Sequence, residues 1–300
     1  MSQKPSLTVT DLRIELRTPD GPHAIVDGID LALTKGRIHG LAGESGSGKT
    51  MTALAVLGLL PDSMTATGSI TLAGATSAVE AVGAAAAVGA SPIELVGASR
   101  QTLGRVRGRR VAMVFQDPST SLHPQIAVGR QLTDHMRHHL HLGKQEARER
   151  AVALLERVRV PDPALALAKF PHQFSGGQRQ RIAIAVALAC GPDVLLADEP
   201  TTALDVTVQA GVLQLLRELV DETDLSVLLV THDLGVMSAV ADEVTVMRAG
   251  IVVESAPREQ LFTAPQHDYT KSLLAALPGS TLEESPEALV EELLTPEEPS

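Results

Sequence analysis

From Leu7 to Leu16 apolar and polar side chains alternate, which predicts a strand with one buried face. TPDGP at 18–22 reads as a turn, and IDLALT, ending before Lys35-Gly36, as a second strand. RIHGLAG at 37–43 is a third, and it runs into a glycine-rich loop; TMTALAVLGLL at 50–60 then predicts a helix stopped by Pro61. RRVAMVFQD at 109–117 returns to strand, and residues 119–190 are expected to be mostly helical. Within EARERAVALLERVRV, Ala151, Leu154, Leu155 and Val158 recur at helical spacing with charges between them. DVLLADEP at 193–200 is continuously apolar before its acids, the mark of a strand buried on both faces of a parallel sheet. A helix at 206–221, an apolar strand in LSVLLVTHD, and a hairpin in VTVMRAGIVVE turning at Ala249-Gly250 complete the pattern. The order predicts an α/β core with a helical insertion. Residues 73–98, dominated by Ala, Gly, Val and Ser, are expected to be a surface insertion, partly mobile and without chemistry; a C-terminal extension starts near 261.

Composition narrows the classes. Of 300 residues 44% are hydrophobic, so a large core can form, but with four Phe, one Tyr and no Trp it must be aliphatic. Few aromatics and a net charge of −11 argue against a nucleic-acid partner. Seven Glu follow Lys271 with no Lys or Arg among them, so the tail is expected to be solvated and mobile, while the rest carries −4. The lone Cys190, in AIAVALAC, excludes an internal disulfide or cysteine metal cluster and reads as a small buried hydrophobe. MSQKPSLTVT has no apolar core, so no secretory leader is expected. Even AVGAAAAVGA at 81–90 is short of the roughly 20 apolar residues that span a bilayer, so a membrane role requires a partner.

GESGSGKT at 43–50 combines Gly43, Glu44, Ser45, Gly46, Ser47, Gly48, Lys49 and Thr50 between a predicted strand and helix. Glycines let the backbone wrap so that N–H groups meet phosphate oxygens, and the helix start adds its dipole. Lys49 would then supply a charge to the β and γ phosphates and Thr50 a hydroxyl to Mg²⁺. Asp198 and Glu199 close a buried strand; alternation sends them in opposite directions, one to hold Mg²⁺ and the other to accept a proton from the attacking water. Adjacent acids at a strand end are as often plain surface charges, and it is the phosphate loop that favours the chemical reading. Upstream, SGGQ (Ser175, Gly176, Gly177, Gln178) sets a hydroxyl and two glycine N–H groups at a helix start, a second anion-binding device.

GESGSGKT, FQD, SGGQRQR, LLADEP, TTALD and THD, in this order over roughly residues 7–260, resemble the ABC ATPase family. The resemblance implies a P-loop NTPase (RecA-like) α/β core with an antiparallel β subdomain, spanning 1–118 and 191–260, an inserted helical signature subdomain at 119–190, and an extension at 261–300. It implies two ATP molecules held in a head-to-tail dimer, with Ser175, Gly176, Gly177 and Gln178 facing the γ-phosphate of the opposite subunit. By the same resemblance Gln116 contacts Mg²⁺ or the attacking water, Glu199 is the catalytic base, Asp205 links the two sites, and His232 contacts the γ-phosphate.

MTALAVLGLLP, VFQDPSTSLHP, ALDVTVQA and FTAPQHDYTKSLLAALP look more narrowly like the dipeptide, oligopeptide and nickel importer branch. That branch implies a second ATPase subunit, either a copy of this chain or, as the branch favours, a non-identical one, together with two transmembrane permease subunits, an extracytoplasmic solute-binding protein and a peripheral place on the cytoplasmic face of the membrane. The last motif would be an extension packed on the core. Two departures stand out. With only Cys190 present, the C-terminal cysteine cluster of many relatives is missing, so no iron–sulfur cluster is expected. The segment LRTPDGPHAI also lacks the aromatic that often stacks on adenine, leaving His23 or apolar contacts alone. The alternative class is a soluble, non-transport ABC-type ATPase. It fits less well, because one cassette is present and no sustained heptads separate Thr50 from Gly177.

Overall fold

The computed structural model describes residues 4–74, 91–117, 121–202 and 204–276. β1 (Pro5–Thr18), β2 (Gly21–Thr34), β4 (Met64–Leu72) and β5 (Ile93–Glu94) form an antiparallel sheet in the order β2-β1-β4-β5. β3 (Ile38–Ala42), β6 (Val111–Val114), β7 (Val194–Asp198), β8 (Ser226–Val230), β9 (Glu243–Arg248) and β10 (Ile251–Pro257) form the second, in the order β10-β9-β3-β8-β7-β6. All its pairings are parallel except β9 with β10.

Burial explains the second sheet. Every residue of β3, β7 and β8 is buried, as continuous apolar runs require when both faces of a sheet are covered. In the first sheet one face is buried, and a bulge keeps it in phase. Asp11 takes φ 44, and the buried positions pass from Leu7 and Val9 to Leu12 and Ile14. Leu7, Val9, Leu31 and Leu33 share a cluster with Leu41, Leu196 and Leu228 and with Ala53 and Val56 of α1, so the antiparallel sheet lies over the phosphate-loop side of the core.

α1 (Lys49–Val56) is shorter than the expected 50–60 and stops well before Pro61. Gly58, at φ 60, ends it: its N–H bonds Ala55 O (2.9 Å) and the Leu59 N–H bonds Leu54 O (2.9 Å), a left-handed closure that glycine permits. The second strand likewise starts at Gly21 rather than Ile29, because its polar half is held by pairing with β1 and not by burial. β4 and α2 (Arg100–Val106) were not anticipated. The Ser99 hydroxyl that accepts the Thr102 N–H (3.1 Å) was a readable start signal for α2. Of the expected insertion at 73–98, residues 75–90 lie outside the described residues, and 93–94 add the edge strand β5.

The helical block contains α3 (Val128–Leu140), α4 (Lys144–Arg157), α5 (Pro163–Ala166) and α6 (Gly176–Leu188). Ala151, Leu155 and Val158 are fully buried there and Leu154 is partly so. Cys190 is buried too, and burial pushes its thiol up to about 11, in keeping with an unreactive hydrophobe. α7 (Val206–Glu222) and α8 (Leu234–Val240) flank β8, while α9 (Arg258–Thr263) and α10 (Asp268–Ala275) follow β10. The acidic tail lies outside the described residues. Among the described residues no helix is long and apolar enough to cross a membrane.

Candidate active site

β3 ends at Ala42, the chain turns through Gly43 at φ 144, and α1 begins at Lys49. A Cβ on Gly43 would lie 2.2 Å from Met247 O, and one on Gly48 (φ 101) 3.0 Å from Ile25 O, so both glycines are needed for the loop to sit against its neighbours. Gly46 is the opposite case: nothing lies within 4 Å of an added Cβ, so the crown of the loop faces open space. The Ser47 N–H bonds Glu44 O (3.2 Å) and the Gly250 N–H bonds Ser47 O (3.2 Å), bracing the loop against the β9–β10 turn. The N–H groups of Gly46 and Gly48 have no acceptor among the described residues. Open N–H donors at a helix start suit a phosphate group.

Lys49 is buried, and its Nζ donates to Gly43 O (2.6 Å) and Glu44 O (2.8 Å). Burial lowers its pKa, against the charges of Glu199, Asp198 and Glu44. Thr50 Oγ1 donates to Asp198 Oδ1 at 3.1 Å. Burial raises the Asp198 pKa and the Glu199 charge adds to this, against the Thr50 hydrogen bond and Lys49. A hydroxyl beside a buried carboxylate is an oxygen pair that fits Mg²⁺, whose shell at a nucleotide is completed by phosphate and water.

Strand alternation does not govern Glu199. β7 ends at Asp198, and Glu199 takes φ 45, so both acids act on Lys49. The Glu199 carboxylate is held from three sides: Oε1 pairs with His232 Nδ1 (2.9 Å), and Oε2 accepts from Gln116 Nε2 (3.0 Å) and Thr202 Oγ1 (2.8 Å). Burial alone would raise its pKa; hydrogen bonds from His232 and Thr202, with the charges of His232 and Lys49, outweigh this and hold it below the ordinary value. Gln116, expected near Mg²⁺ or water, thus reaches the carboxylate directly. Thr202 was missed, although its place three residues after Glu199 in EPTT could have found it.

The SGGQ segment stands apart from this cluster. Ser175 Oγ accepts the Gln178 N–H (3.3 Å) and Gln178 Oε1 accepts the Ser175 N–H (3.1 Å), a capping box at the start of α6. Gly177 is set against α7, where an added Cβ would lie 2.4 Å from Val208 Cγ1. Asp205 caps α7, its Oδ1 accepting the Val208 N–H (2.9 Å). The structure therefore joins the signature to the Asp205 segment, and shows no hydrogen bond from either to the phosphate loop among the described residues. His23 is exposed on β2, two residues from Ile25, whose carbonyl abuts Gly48. On a strand that spacing keeps both side chains on one face.

A sequence profile described as ABC transporter matches residues 26–202, a span that holds the phosphate loop, Gln116, SGGQ and both acids. The chain belongs to this family and is its ATP-hydrolysing component. It is 43% identical over 283 residues to the oligopeptide transport ATP-binding protein OppD of Bacillus subtilis (strain 168), covering 94% of this chain and 74% of that one. To the dipeptide transport ATP-binding protein DppD of the same bacterium it is 42% identical over 274 residues, with 91% and 76% covered. Its fold is similar to the ATP-binding cassette MJ0796, solved as a dimer bound to ADP and Pi: TM-score 0.69, 24% identity, 84% of this chain and 98% of that one. That likeness bears on fold alone, and it agrees with the expected α/β cassette.

Proposed function

We propose that the chain powers an importer of di- or oligopeptides, nickel or a related small solute from the cytoplasmic face of the membrane. It would work with a second ATPase subunit, two transmembrane permease subunits and, indirectly, an extracytoplasmic solute-binding protein. The peptide assignment rests on the relatives, which are named for oligopeptide and dipeptide transport; the soluble non-transport alternative has no comparable support.

The single observation that carries the catalytic reading is the Glu199 carboxylate, oriented by His232, Thr202 and Gln116 beside a buried Lys49. Its lowered pKa keeps it ionised, so it can accept a proton from water attacking the γ-phosphate. Lys49 neutralises β and γ phosphate charge. Thr50 and Asp198 would hold Mg²⁺, which when bound offsets phosphate charge. His232, half exposed and paired with Glu199, would carry the state of the γ-phosphate to that carboxylate. His23 or the apolar side chains beside it would take adenine.

Ser175, Gly176, Gly177 and Gln178 would serve the nucleotide of the second subunit, with Asp205 between the sites. Val206 beside Asp205 is 67% exposed, which suits a covered interface. A cleft of about 240 Å³ lined by Leu59, Phe115, Leu122 and His135 opens where the core meets the helical block, just before and after Gln116, and suits docking of a permease segment.

The test is Glu199→Gln: ATP binding is retained and hydrolysis falls about 10²–10⁴-fold. Undiminished turnover in that variant overturns the assigned base. Solute identity is read by ligand capture on the associated solute-binding protein, and capture of only a non-peptide, non-metal solute removes the branch assignment.

A further inference from the structure

The C-terminal extension reaches the phosphate loop. Glu254 of β10 anchors it, its carboxylate accepting the N–H groups of Gln266 (2.7 Å) and His267 (3.0 Å) ahead of α10. This seats Tyr269, the chain's sole tyrosine and 7% exposed, with its ring 4.7 Å from the Arg248 guanidinium carbon. The Tyr269 hydroxyl accepts the Glu44 N–H at 3.4 Å. The same peptide unit carries the Gly43 carbonyl that accepts Lys49 Nζ at 2.6 Å. One peptide plane is therefore held at both ends, by the extension at its N–H and by Lys49 at its oxygen.

We propose that Tyr269 is a positioning residue for nucleotide binding, fixing the Gly43–Glu44 peptide plane and so the place from which Lys49 meets the phosphates. The inference rests on the ATP reading above and extends it to a residue 225 positions further along the chain than Glu44. Glycine at position 43 explains why a tether is useful there. A residue at φ 144 without a Cβ has many other conformations open to it, and a hydrogen bond from outside the loop removes some of them. Burial, with the charge and hydrogen bonding of the Glu44 carboxylate, raises the tyrosine pKa against the Glu44 N–H and the Arg248 charge, so the hydroxyl stays neutral.

The experiment uses the full-length chain and two variants, Tyr269→Phe and Glu254→Gln, with ATP titrated both in equilibrium binding and in steady-state hydrolysis. Tyr269→Phe keeps the ring and removes the hydroxyl that meets Glu44. One neutral hydrogen bond converts to an ATP Kd and KM raised about three- to tenfold, with kcat within about twofold and an unchanged melting temperature. Glu254→Gln, which loosens the anchor of the extension, shifts KM in the same direction. A wild-type chain that binds ATP while Tyr269→Phe has the same KM removes this link and leaves the ATP reading intact. A wild-type chain that binds no ATP removes the ATP reading and the link together.

Discussion

At residues 43–50 a glycine turn leads into α1, and at 175–178 another leads into α6, yet only the first stands among the chain's own chemical groups. Lys49 feels the charges of Asp198 and Glu199, Thr50 touches Asp198, and the Glu199 carboxylate is held by Gln116, Thr202 and His232. Ser175 spends its hydroxyl on its own helix, and Gly177 is pressed against Val208. One device is assembled within the chain and the other is only displayed by it. A helix start with glycines defines a capacity for anions, whereas charges and proton acceptors around it define a site. The difference also supports the proposed pairing, in which the displayed device completes the site of a second subunit.

Three perturbations separate the two regions. The largest effect is expected from Lys49→Ala, which removes the sole lysine charge of the loop and lowers hydrolysis by about 10²-fold or more. Near-normal turnover, measured by phosphate release, shows that the assembled region is not where chemistry occurs. Gly177→Ala comes next, because the new methyl meets Val208 Cγ1 at 2.4 Å and the signature must move away from α7. Overpacking of this kind costs about 1–3 kcal/mol, and turnover falls while ATP binding to the isolated chain is kept. Equal loss of ATP binding contradicts the separation of the two devices.

The smallest effect concerns stability. Burial raises the Asp198 pKa, so the fold disfavours its charge: that contribution is most favourable below the ordinary carboxylate pKa and is lost as pH rises through the raised value. Asp198→Asn keeps an oxygen for Thr50 and removes the charge. It is expected to raise the melting temperature by about 2–4 °C at pH 8, for ~1 kcal/mol of relief, and by less as pH falls. A difference that does not change with pH contradicts the assignment of the shift to burial of charge.

Much of the assembled region was legible in the sequence because its chemistry is local: GESGSGKT, LLADEP and THD each sit at the end of an apolar, parallel-paired strand of one sheet. What could not be read came from tertiary geometry. The opposite directions expected for Asp198 and Glu199 assume a continuing strand, and the chain leaves it at φ 45. The end of α1 was set by Gly58 and its left-handed turn rather than by Pro61. β4 escaped notice although Ile70 and Leu72 are fully buried, since Gly68 and the polar residues around it weaken the alternation. Tyr269 was visible as part of a motif, but a partner so distant in sequence as Glu44 leaves no local trace.

The most direct measurement is a structure of the Glu199→Gln assembly trapped with ATP. One γ-phosphate is expected to be met by Lys49 of one subunit and, from the other subunit, by Ser175 and the N–H groups that follow it. A triphosphate enclosed by one chain's residues, with every Ser175 remote from it, contradicts a site shared between two subunits.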